Sequence, residues 1–139
     1  MSCKRYHLDA NILLRFFVGE PPELGAAAAA LIEAAESGEV HLELSPLVLA
    51  ETMFTLESFY KKPRRAVARL LIEFVNRLGV RLAEKELLLD ALARVEATGV
   101  HLVDGYLAAL AADTKLPVAS FDRDLDKFKD IERYEPRKR

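Results

Sequence analysis

Segments of hydrophobic period 2 alternate with segments of period 3.6 along almost the whole chain, and this alternation most restricts the fold. Arg5 to Leu8 reads as a short strand ending at Asp9, and 10–17 as a helix carrying Ile12, Leu13, Phe16 and Phe17. Gly19-Glu20-Pro21-Pro22 breaks it, and 23–37 follows as a strong helix with Gly38 as its stop. Val40 to Leu44 alternates as a half-buried strand does. Ser45-Pro46 then opens a helix to about Tyr60, with the serine as N-cap and the proline in the first helical position. Further helices are expected at 64–78, 84–97 and 105–115, and further strands at 80–82, 118–121 and 131–134. Strands that alternate with helices predict a parallel sheet with helices on both faces.

The 139 residues suit one domain spanning 1–139, with 135–139 expected as a loose charged tail. Cys3 is the only cysteine, so no internal disulfide and no thiolate zinc cluster can form. Met1 to Leu8 carries Lys4, Arg5 and His7 where a secretory signal needs an apolar run. The apolar stretch Leu24 to Ile32 is far short of the ~20 residues a membrane span requires. A cytoplasmic location with no membrane partner is the expectation. The net charge of −2 argues against a basic coat for duplex nucleic acid, but not against a nuclease built on acidic metal ligands.

Four acidic residues fall where a parallel sheet places its ligands, beyond the carboxyl ends of the strands. Asp9 ends the first strand and Asp122 the fourth; Glu51 and Asp104 lie near the N-terminal ends of their helices. Carboxylates gathered at one point repel one another unless a cation joins them. Mg²⁺ (or Mn²⁺) takes oxygen ligands, and one or two such ions can orient a phosphodiester and activate water. Asn11 and Ser120 each stand two residues from a proposed ligand and suit hydrogen bonding around it.

Simpler roles exist for each residue. Asp9 and Asp104 suit helix N-caps, and Asp122 suits a turn. Asp124 and Asp126 read as solvated or capping residues. Glu51 sits in the apolar run Leu47 to Phe54, where a glutamate is expensive unless paired or liganded. His7, His41 and His101 form no metal triad by spacing. Lys61, Lys62, Arg64, Arg65 and Arg69, like the tail Arg137-Lys138-Arg139, read by default as solvated charge, although phosphate contact is an alternative.

Four stretches together carry a family resemblance. His7-Leu8-Asp9-Ala10-Asn11-Ile12-Leu13-Leu14 resembles the opening motif of PIN domains, and Leu44-Ser45-Pro46-Leu47-Val48-Leu49-Ala50-Glu51 resembles their second. Val103-Asp104-Gly105-Tyr106-Leu107-Ala108-Ala109-Leu110 is similar to the third, and Val118-Ala119-Ser120-Phe121-Asp122-Arg123-Asp124-Leu125 to the fourth, with Ser120 where the family often has threonine. Size and the surroundings of Glu51 resemble VapC-type toxins within that superfamily.

The resemblance implies a three-layer α/β/α sandwich around a central, mostly parallel sheet of four to five strands. It implies Mg²⁺- or Mn²⁺-dependent endoribonuclease activity, with Asp9, Glu51, Asp104 and Asp122 as catalytic metal ligands supported by Ser120. It also implies a homodimer and a cognate antitoxin that silences it. Two other readings stand beside this one. A non-catalytic module could keep the fold and the acidic groove. A phosphoaspartate-type phosphoryl-transfer protein would also place aspartates at strand ends, but Asp9 is followed by Ala10-Asn11, with no second aspartate two residues on.

Overall fold

The computed structural model describes residues 4–137; Met1 to Cys3, with the lone cysteine, and the tail residues Lys138 and Arg139 lie outside the described residues. The elements run β1 (Lys4–His7), α1 (Ala10–Val18), α2 (Pro22–Glu36), β2 (Val40–Leu44), α3 (Pro46–Ser58), α4 (Arg64–Val75), β3 (Val80–Leu82), α5 (Lys85–Thr98), α6 (Leu102–Thr114), β4 (Val118–Ala119), a 3-10 turn (Arg123–Lys127) and β5 (Arg133–Tyr134). Glu135 to Arg137 are exposed and belong to no regular element.

Every strand pairing is parallel. β1 pairs with β2 (Lys4 opposite Val40) and β2 with β3 (Leu42 opposite Val80). The α/β class and the parallel sense follow from the strand-helix alternation. One detail differs: the five expected strands do not share a single ladder. β4 and β5 form their own two-stranded sheet beside the three-stranded β1-β2-β3 sheet. Their paired segments are only two residues each, which leaves few ladder bonds to extend the main sheet.

Local chemistry sets the helix ends. Ser45 Oγ accepts the Val48 N–H at 3.2 Å, with Pro46 in the first turn, as the sequence predicts. One contiguous core joins the sheet to the helices through Leu13, Leu42, Leu49, Met53, Leu71, Phe74 and Leu92, all fully buried. Each such side chain removed from water contributes about 1.5–3 kcal/mol. Two glycines permit close approach between elements. At Gly79, which has φ +82°, a Cβ would fall 2.3 Å from the Ala35 carbonyl oxygen. At the buried Gly105 in α6, a Cβ would fall 2.8 Å from the Ala91 carbonyl oxygen in α5.

Candidate metal centre

The carboxyl ends of the strands and the first turns of α3 and α6 meet at one edge. His7, Leu44, Ser45 and Leu82 line a shared hollow there, next to a groove of about 430 Å³ between the α3 start (Pro46, Leu47, Ala50) and the α6 start (Leu102, Val103).

Asp104, Asp122 and Asp124 converge. Each offers a carboxylate oxygen, and the three oxygens lie within 4.8 Å of one another. Asp104 stands in the first turn of α6, where His101 and not Asp104 is the N-cap, so the capping role is excluded for it. Asp122 caps the 3-10 turn and its Oδ1 accepts the Asp124 N–H at 2.9 Å. Ser120 shapes this turn, because its Oγ accepts the Asp122 N–H at 2.9 Å. Arg133 Nη1 donates to the Ser120 carbonyl at 3.0 Å, and the same guanidinium grips both carboxylate oxygens of Asp126.

Partial burial, and then the Asp122 carboxylate, push Asp104 above the usual carboxylate range; His101 opposes the shift and Asp124 adds to it. Such a carboxyl is uncomfortable when charged and alone, which is the environment a cation relieves. The only cation in contact with the trio is Lys127, 3.5 Å from Asp124 among the described residues. All three donors are hard carboxylate oxygens, a set that suits Mg²⁺ or Mn²⁺ and not a soft-ligand metal.

Asp9 and Glu51 are not members of this trio. Asp9 is exposed and caps α1, its Oδ1 accepting the Ala10 N–H at 2.8 Å. Glu51 is exposed too, and among the described residues neither has a cationic partner. The expected expense of a glutamate in an apolar run therefore does not arise. Leu49, Thr52, Met53 and Leu56 take the buried stripe of α3, while Leu47, Glu51, Phe54 and Ser58 face solvent one turn apart. Asn11 is exposed on α1 and borders a hollow shared with Leu24 and Ala27 of α2.

Sequence reasoning set aside two residues that belong in this account. Asp124 reads as a capping or solvated residue, yet it completes the trio. Arg64 reads as solvated, yet its side chain is only 28% exposed and pairs with Glu57 at 2.6 Å. Its Nη1 donates to the Gly99 carbonyl at 2.7 Å, and its Nη2 lies 3.3 Å from His101 Nε2. Arg64 thus ties the end of α3 to the turn that launches α6 and Asp104. An adjacent clue was present in the basic run at 61–65, but nothing local marks which member turns inward.

The family model for the PIN domain matches residues 6–131, nearly the whole chain. The chain belongs to the PIN domain family. PIN domains are generally metal-dependent nucleases, and this member carries an acidic cluster at its helix and strand ends. No curated protein matched the sequence. Among the described residues, no helix of this PIN domain is long and apolar enough to cross a membrane.

Proposed function

We propose that this PIN domain is a Mg²⁺- or Mn²⁺-dependent endoribonuclease and the toxin of a toxin–antitoxin pair. The observation that carries the enzymatic part is the convergence of the Asp104, Asp122 and Asp124 carboxylates without a full complement of protein cations. When bound, the ion supplies Lewis-acid activation and orients the phosphodiester. Asp104 and Asp122 are the principal ligands and Asp124 the third. Asp9 and Glu51, exposed and without cationic partners among the described residues, are assigned to a second ion or to the attacking water. Ser120 holds the Asp122 turn, and Arg64 holds the α6 start, so both carboxylates are preorganised. The substrate is RNA in the cytoplasm, the working state a homodimer, and the regulator a cognate antitoxin covering the acidic groove. The four motif stretches and the sequence surroundings of Glu51 support these finer assignments.

The experiment is incubation of purified protein with single-stranded RNA, with Mg²⁺ or EDTA, beside Asp104→Asn. Metal-dependent cleavage lost in the variant supports the reading. Intact RNA at millimolar Mg²⁺ and Mn²⁺ would favour the non-catalytic module. Induced expression that arrests growth for the wild type and not for Asp104→Asn tests the toxin assignment.

A further inference from the structure

Phe121 stands between Ser120 and Asp122, and 72% of it is exposed. Leaving a phenyl ring in water forgoes a large burial gain, and this chain buries Phe74 completely and Phe128 nearly so. The backbone on both sides of Phe121 is pinned. Ser120 N–H donates to the Tyr134 carbonyl at 3.0 Å, and the Ser120 carbonyl accepts from Arg133 at 3.0 Å. Asp122 is fixed through Ser120 Oγ and the Asp124 N–H, each at 2.9 Å. Among the described residues, no aromatic ring packs on Phe121 and no cation covers it. Two residues on, Arg123 is exposed; its side chain makes no hydrogen bond or close ion pair among the described residues, and its charge helps to hold the Asp126 carboxyl below the usual range behind the larger effect of Arg133. An exposed apolar ring on a pinned backbone, an exposed guanidinium and two carboxylates of the trio, Asp122 and Asp124, therefore fall within the four residues 121–124, and the third carboxylate, Asp104, converges on those two.

Each part matches a different part of one nucleotide chain. Nucleobases offer π faces to an exposed ring, phosphates suit an exposed arginine, and the scissile phosphate suits an ion held by carboxylates. A base stacked on a protein ring must first leave its own stack, so the arrangement selects single strands and loops over duplex. We infer that Phe121 is a stacking platform for a nucleobase of single-stranded RNA bound beside the Asp104–Asp122–Asp124 site. This rests on the ribonuclease reading and adds the face by which substrate is held.

The chain has no tryptophan, so Phe121→Trp introduces a single tryptophan, which can be excited selectively over the four tyrosines. Its emission is expected to be quenched on stopped-flow mixing with a single-stranded oligoribonucleotide, and much less with an oligomer abasic throughout. Phe59→Trp, at a site of 73% exposure on the far end of α3, is the control that stays unquenched. Phe121→Ala is expected to raise KM roughly tenfold or more while kcat and Mn²⁺ affinity hold, with Phe121→Trp restoring KM. Wild-type KM in Phe121→Ala, on RNA that the wild type cleaves, overturns the inference and leaves the nuclease reading intact. Equal quenching by the abasic oligomer overturns it as well. A fall in Mn²⁺ affinity alongside KM would make Phe121 a structural residue. Emission that follows protein concentration and not RNA would assign the ring to contact between copies. Absence of any RNA cleavage or binding by the wild type removes the nuclease reading and this inference together.

Discussion

Asp104 and Asp122 bring carboxylate oxygens within 4.8 Å of one another although one belongs to α6 and the other to the turn after β4. Their mutual repulsion sets the first prediction. The folded protein holds the Asp104 carboxyl above its ordinary value of 3.8, through burial first and Asp122 next. A raised folded-state pKa stabilises the fold below the unfolded value, and that stabilisation is lost as pH rises through the folded pKa. Metal-free Asp104→Asn should therefore melt higher than wild type at neutral pH, with the gap closing as pH drops below the ordinary carboxylate range. Calorimetric Tm against pH checks this; an Asn variant that melts lower at neutral pH contradicts it.

The opposite sign applies at Asp130. Hydrogen bonding to Arg94 holds its carboxyl below 3.8, so that contribution is present above the unfolded value and lost as pH falls through the folded one. The Arg94 side chain is 13% exposed, also pairs with Asp90 at 3.1 Å, and lies over the Phe128 ring. Arg94→Met should cost about 1–2 kcal/mol at pH 7, with most of the exposed-pair Coulomb energy discounted. Urea unfolding at pH 7 and pH 3 measures it, and the loss should shrink at the lower pH.

Asp9 separates its two roles by substitution. Its carboxylate caps α1 at Ala10 N–H, a job asparagine does equally well. Asp9→Asn should leave Tm unchanged or raised and abolish cleavage, whereas Asp9→Ala should additionally cost about 1 kcal/mol. Cleavage retained in Asp9→Asn would confine Asp9 to capping.

Gly105 sets the distance between α5 and α6. Gly105→Ala drives a Cβ against the Ala91 carbonyl and should destabilise by about 1–3 kcal/mol, although alanine is the better helix former. Because Asp104 is its neighbour, Mn²⁺ affinity should fall as well. A stabilised variant would show that the helices have room to separate.

Arg64 should act through position. Arg64→Met removes the bond to the Gly99 carbonyl and leaves Glu57 unpaired, so Mn²⁺ affinity should drop by roughly tenfold, as for other supports of ligands. Arg64→Lys should recover part of it, since one ammonium cannot reproduce the three-way grip. Unchanged affinity in Arg64→Met would reduce it to a surface ion pair.

How much of this was legible depended on whether the signal was local. Ser45-Pro46 at the start of α3 and the period-3.6 stripe of α5 are local, and both read correctly. The start of α6 did not, because nothing at His101 announces an N-cap, so the helix begins three residues earlier than expected and carries Asp104 inside its first turn. The split of five strands into two sheets depends on pairing between distant segments, which periodicity does not encode. Asp124 looked like a turn residue because Asp122-Arg123-Asp124 is turn chemistry; the same turn aims its carboxylate at Asp104. The apolar run around Glu51 does not reveal its exposure, because Leu49 and Met53 turn to the buried stripe of α3 while Leu47 and Phe54 share the solvent face with Glu51.

The most direct test is titration of Mn²⁺ into metal-free protein by isothermal calorimetry, with Asp104→Asn as reference. Saturable binding to wild type, weakened at least roughly tenfold by that single substitution, is the predicted result. No saturable binding up to millimolar Mn²⁺, or equal binding by both proteins, would contradict it.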